Sequence, residues 1–302
     1  MRNMITMHTR CSFDHERWRA RRAQGAGAID EIRYHAAMKV SKNSIGRRLL
    51  RALLPWLALT VPLSTLAESP PSVAAAADLQ YALDEILVAY GQQQNEQPRV
   101  TYGSSGNFFT QLTQGAPFDI FMSADEALVS KLAAKGLTRD QGDLYALGRI
   151  VLFVPRGVAI EPDTEFTDVR RALGDGRLLK FAIANPDHAP YGRAARESLQ
   201  ALGLLPAMTS HLVLGENVAQ AAQFARSGAA QAGIFALSLA LAPPFKDAGR
   251  YVVIDSTHHA PLRQRMVLMR GAGAAAERLY AYLKSSAARA VFDRYGFTLP
   301  SE

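Results

Sequence analysis

The chain has 302 residues, 48% of them apolar and 20% charged, enough to bury two ordinary domains and too well mixed for a disordered or polytopic membrane protein. The formal charge of +7 invites a nucleic-acid partner, but residues 1–67 hold 12 Lys/Arg against 4 Asp/Glu, a net of +8, and the other 235 hold 22 against 23, a net of −1. With the basicity confined to the first quarter, nucleic acid is excluded as a partner, and the single cysteine, Cys11, leaves the rest without a thiol for a disulfide, a thiolate metal site or a nucleophile.

Met38 opens a three-part export signal. Lys39, Lys42, Arg47, Arg48 and Arg51 form a basic region, residues 52–63 a short Pro-broken apolar core, and Thr65-Leu66-Ala67 a small-residue cleavage site. The core is short for a membrane span. Residues 1–37, with Arg17, Arg19, Arg21 and Arg22 and no apolar period, read as an upstream mis-start or a disordered leader. The expected mature chain starts near Glu68, carries no cysteine for a lipid anchor and is periplasmic.

Residues 72–77 form a buried-type run. Apolar residues at 79, 82, 83, 86 and 87 then give a helical period, with Asp78 at its N-cap position. A strand at 99–102 ends in Gly103-Ser104-Ser105-Gly106-Asn107 and leads to a helix at 108–114; a strand at 118–122 precedes a helix at 124–135. A second series begins with a strand at 149–155. It continues with a strand at 181–184, the run Asn185-Pro186-Asp187-His188-Ala189-Pro190-Tyr191-Gly192, and helices at 193–202 and 218–227. A strand at 232–236, a returning strand at 263–269 and a closing helix at 277–295 complete it. Alternating strands and helices predict a parallel α/β sheet on each side. The expected division is 68–149 plus 262–302 for one lobe and 150–261 for the other.

Four strand-to-helix junctions carry small or turn-forming residues: Ala77-Asp78, Ser104-Ser105-Gly106, Ala189-Pro190-Tyr191-Gly192 and Asn217-Val218. Such junctions lie at the carboxyl ends of parallel strands, where ligands bind. Each offers the free N–H groups and positive dipole end of a helix, and the Gly-Ser-Ser-Gly tract adds hydroxyl donors. Any one junction is compatible with a plain capped helix; four in one chain point to a cleft for a small anion.

The runs Val73-Ala74-Ala75-Ala76-Ala77-Asp78-Leu79, Tyr102-Gly103-Ser104-Ser105-Gly106, Gly115-Ala116-Pro117-Phe118-Asp119-Ile120-Phe121-Met122-Ser123-Ala124-Asp125, the Asn185–Gly192 segment and Arg294-Tyr295-Gly296-Phe297 follow one another in an order that resembles the periplasmic molybdate-binding proteins of ABC importers. The resemblance covers essentially all of the chain after the signal. It implies the two-lobed type II periplasmic-binding-protein fold, a monomer that closes on molybdate or tungstate and delivers it to a membrane permease, with no catalytic residue, cofactor or bare metal ion. It also implies that Ser105 gives its hydroxyl and N–H, and Tyr191 and Val218 their N–H groups, to the oxyanion. Asp78 stands where that family has a Ser or Asn donor, and Ala236 where some members have a Tyr hydroxyl.

Three other readings stand beside this one. Another anion, such as phosphate, phosphonate, sulfate or a small carboxylate, would suit the same junctions. Ser105, His188 and Asp187 invite a hydrolase triad, but the tract lacks the Gly-x-Ser-x-Gly elbow and the Asp and His are adjacent. His258-His259 beside Asp255 reads as an exposed loop rather than a metal site. For Asp78 three roles are open: turning aside to cap its helix, which is the expected one, being protonated and so donating to the anion, or accepting a proton from a ligand that keeps one, such as hydrogen phosphate.

Overall fold

The computed structural model describes residues 69–300, so the leader, the Met38 signal and the cleavage site near Ala67 lie outside the described residues. Within them, ten strands form two five-stranded sheets. The first contains β1 (Ser72–Ala76), β2 (Arg99–Gly103), β3 (Ile120–Ser123) and β4 (Asp143–Gly148); the second contains β5 (Ile150–Pro155), β6 (Phe181–Ala184), β7 (Leu212–Gly215), β8 (Ala232–Ala236) and β9 (Gly249–Val253). The last strand, β10 (Leu262–Leu268), returns to the first sheet. The orders are β2-β1-β3-β10-β4 and β7-β6-β8-β5-β9. In each sheet three adjacent strands run parallel, and the fourth, β10 or β5, is antiparallel to both its neighbours.

The chain passes between sheets at Arg149 and again through residues 254–261. Eight helices of eight residues or more flank the sheets: α1 (Gln80–Gln94), α2 (Ser105–Thr113), α3 (Glu126–Ala134), α4 (Thr167–Gly174), α5 (Pro190–Ala201), α6 (Val218–Arg226), α7 (Ala274–Leu283) and α8 (Ser286–Arg294).

Strand alternation sorts the first core. Val73, Ala75, Ile120 and Met122 face α1 and α7, whereas Ala74, Phe121 and Val267 face α2 and α3, so both faces of the sheet are covered. The second sheet is apolar throughout β5, β6 and β8, as a parallel-type sheet between helices must be. The small side chains Ala76, Ala77 and Ala124 at the strand ends of the first sheet join this second core. The lobes therefore meet along strand ends, where the ligand junctions are.

Three expectations differ from what is found. The sheets are mixed rather than parallel, because β10 and β5 each run antiparallel to both neighbours. The closing helix is broken at Ser285, whose hydroxyl accepts from Ala288 N–H at 3.3 Å and starts α8 afresh. Asp78 does not cap a helix. A 3₁₀ turn spans Ala77–Leu79, α1 begins at Gln80, and neither start has a side-chain cap. The carboxylate is drawn instead to donors from other elements.

Candidate functional site

Asp78, Ser105, Tyr191 and Val218, together with Ala124 and Pro190, line one cavity between the lobes. Asp78, Ser105, Tyr191 and Val218 follow the carboxyl ends of the parallel strands β1, β2, β6 and β7 in turn, Tyr191 after the connection 185–189. The free volume at the centre is about 10 Å³, room for roughly one water molecule. The lobes are closed.

Helix geometry leaves the first N–H groups of each helix unpaired. Ser105 and Val218 are the first residues of α2 and α6, and Tyr191 is the second of α5, after Pro190. The Asn217 side chain caps α6 by accepting from Ala219 and Gln220 N–H, both at 3.0 Å, and so leaves Val218 N–H for the cavity. Ser105 Oγ accepts from Ala124 N–H at 3.0 Å, which fixes the oxygen and frees its hydroxyl proton to donate. Among the described residues no Lys, Arg or His lines the cavity, so it can stabilise an anion only with N–H, O–H and helix dipoles.

The closure is made by pairs that cross it. Gly106 N–H donates to the His188 carbonyl at 2.9 Å, Asn107 Nδ2 to Glu216 at 2.6 Å, Arg193 to Asp125 at 3.0 Å, and the buried Ser238 hydroxyl to the Asp78 carbonyl at 2.7 Å. A Cβ on Gly106 would collide with the His188 carbonyl oxygen, so only glycine lets α2 approach this closely.

Behind the N–H groups lies a buried polar chain that sequence reasoning missed. Tyr191 Oη donates to Asp78 Oδ2 at 2.9 Å, and Gln264 Nε2 reaches the same oxygen at 2.6 Å and the Tyr191 hydroxyl at 2.9 Å. Tyr145 donates to Gln264 Oε1 at 2.6 Å. Asp78 is 1% exposed, and its Oδ1 has no hydrogen-bond partner among the described residues. Burial pushes the carboxyl up to about 6 against the pull of the Gln264 and Tyr191 hydrogen bonds. Gln264 did leave a signal: Leu262, Gln264 and Met266 share the buried face of β10, so a lone amide interrupts an apolar stripe. The Tyr191 ring is buried and its hydroxyl is hydrogen-bonded.

The hydrolase geometry does not assemble on Ser105. His188 Nδ1 lies 3.0 Å from Ser104 Oγ, not Ser105, and the Ser104 hydroxyl also donates to the His188 carbonyl. His258 and His259 belong to no group of three or more His, Cys, Asp or Glu side chains that could hold a metal ion among the described residues.

Residues 71–298 match the model of the bacterial extracellular solute-binding proteins. The chain belongs to that family. This solute-binding protein is 33% identical over 252 residues to the molybdate-binding protein ModA of Rhodobacter capsulatus, an alignment covering 82% of this chain and 96% of the relative. Among solved structures, the periplasmic molybdate-binding protein of Azotobacter vinelandii superposes with a TM-score of 0.70 at 28% identity, covering 76% of this chain and all of that one. The sulfate-binding protein SubI of Mycobacterium tuberculosis shares the solute-binding protein's fold, with a TM-score of 0.63 at 14% identity, 76% of this chain and 87% of that chain being covered.

Proposed function

We propose that this protein is the extracytoplasmic binding component of an ABC importer and captures molybdate, with tungstate as a near-isosteric alternative, for delivery to a membrane permease. It acts as an exported monomer of two lobes, 68–149 plus 262–302 and 150–261, freed by cleavage near Ala67, and it performs no catalysis. The observation that carries the reading is the convergence of four helix or turn starts on one closed, cation-free cavity, lined by Asp78, Ser105, Tyr191 and Val218. Its similarity to molybdate-binding relatives over most of the chain supports the choice of oxyanion.

Ser105 gives a hydroxyl and an N–H from one lobe, and Tyr191 and Val218 give N–H groups from the other, so a tetrahedral ligand bridges the lobes and stabilises closure. A thermal-shift panel of molybdate, tungstate, sulfate and phosphate tests it, because a ligand bound only by the folded state raises the melting point. Molybdate and tungstate should give the largest shifts. Stabilisation by phosphate or sulfate alone would move the function to another anion.

A further inference from the structure

Given an oxyanion in this cavity, we infer that it is captured together with one proton, held between Asp78 Oδ1 and a ligand oxygen, and that the cargo of this chain is therefore a tetrahedral dianion plus a proton. Asp78 lines the cavity and is buried, its Oδ2 is occupied by Tyr191 and Gln264, and Oδ1 is left without a partner among the described residues. The other polar side chains of the lining, Ser104, Ser105 and Tyr191, carry hydroxyls that can donate. An ionised Oδ1 would oppose a dianion at close range in a site without cations. A neutral carboxyl places its O–H where that repulsion would be and supplies one more donor.

The surroundings of Asp78 favour the neutral form. The titratable groups that face it are Tyr191 from α5 and Tyr145 from β4, both held neutral by burial and by the carboxyl itself. Gln264 comes from β10, and Ser238, from the turn after β8, binds the Asp78 backbone carbonyl. The charged groups of α6 and α1 are engaged elsewhere. Arg226 of α6 stacks on Phe245, and Asp84 and Glu85 of α1 bind Tyr102 and Arg294. His188, at the rim, is turned to Ser104. No cation offsets the desolvation of the carboxyl, which rises to about 6.

The balance is simple. The free protein near neutral pH carries the Asp78 carboxylate, a fully ionised dianion such as molybdate or sulfate brings no proton, and solvent supplies one on binding and takes it back on release. Affinity must then fall about tenfold per pH unit above the carboxyl's own titration.

Calorimetry of the full-length mature protein with sodium molybdate, in buffers of different ionisation heat from about pH 6 to about pH 9, counts the proton directly. Proton uptake that rises from about half near pH 6 to one per molybdate well above it, with the tenfold slope there, is the expected result. Asp78→Asn, whose amide donates without titrating, should lose both the proton and the slope and overtake the wild type as pH rises. Molybdate bound with no proton uptake and a flat pH profile overturns this inference and leaves the oxyanion function standing. If sulfate binds with one proton and molybdate does not bind, the proton inference stands and the molybdate reading falls. Binding of no oxyanion at any pH overturns both.

Discussion

The Tyr191 hydroxyl of the second lobe donates to Asp78 Oδ2 of the first at 2.9 Å, so a single hydrogen bond inside the cavity joins the turn after β1 to the start of α5. Tyr191→Phe keeps the ring and the backbone N–H but removes that donor. The expected loss is about 1.5–3 kcal/mol, as for other hydrogen bonds to a charged group, and should appear as a lower melting point of the closed form. Asp78 should also titrate higher, since a hydrogen bond that favours its carboxylate is gone. A melting point and a titration both unchanged would show that the contact contributes nothing.

Ser105→Ala removes the one side-chain hydroxyl fixed for donation, with its oxygen already held by Ala124 N–H. Oxyanion binding should weaken by about 1.5–3 kcal/mol. That is roughly tenfold to a hundredfold in Kd by calorimetric titration. An unchanged Kd would remove Ser105 from the site.

Gly106→Ala tests closure separately from contact chemistry. The added methyl meets the His188 carbonyl from the opposite lobe, while α2 itself tolerates alanine. Overpacking of this kind costs about 1–3 kcal/mol, and affinity should fall by about tenfold or more. Far-UV circular dichroism should stay native, and small-angle scattering with saturating ligand should show a molecule wider than the wild type. Normal compaction on binding would mean the lobes close by another route.

Asp78 also predicts a pH dependence of stability without ligand. Its pKa is raised from 3.8 to about 6 in the folded chain, so its contribution is fully present below pH 3.8 and is lost as pH rises through 6. The span is about 3 kcal/mol, at 1.36 kcal/mol per unit. Glu126, Asp143 and Asp168 shift the other way, so the measurement is the difference between wild type and Asp78→Asn in chemical unfolding across that window. Parallel curves would remove the carboxyl as the source.

What could be read from the sequence was local. That Ser105, Tyr191 and Val218 stand at helix starts was legible, because a helix start advertises its own free N–H groups within a few residues. Asp78 was placed at the right junction but given the wrong partner, since N-cap preference knows nothing of a tyrosine 113 residues away. Tyr145 was not legible at all, and Gln264 showed only as a lone amide in an apolar stripe, with nothing to name its partners. Gln264 pairs with Ala146 and Arg265 with Leu144, so a bulge leaves Tyr145 as the extra residue and turns it inward beside Ala146. Simple alternation along β4 hides such a residue, and the two side chains meet only through the register of strands more than a hundred residues apart.

The absence of cations from the cavity lining has a consequence for speed. Dipolar N–H and O–H donors act at contact and fade within a few ångströms, whereas a lysine or arginine would draw an anion in from a Debye length of about 8–10 Å. Residues 68–302 carry a net charge of only −1, so no net charge draws the anion in. Encounter is then left to plain diffusion, and the selectivity of this protein resides in how long the anion stays after the lobes meet around it. Stopped-flow association should accordingly change little with added salt, with the differences among tetrahedral anions appearing in their dissociation rates.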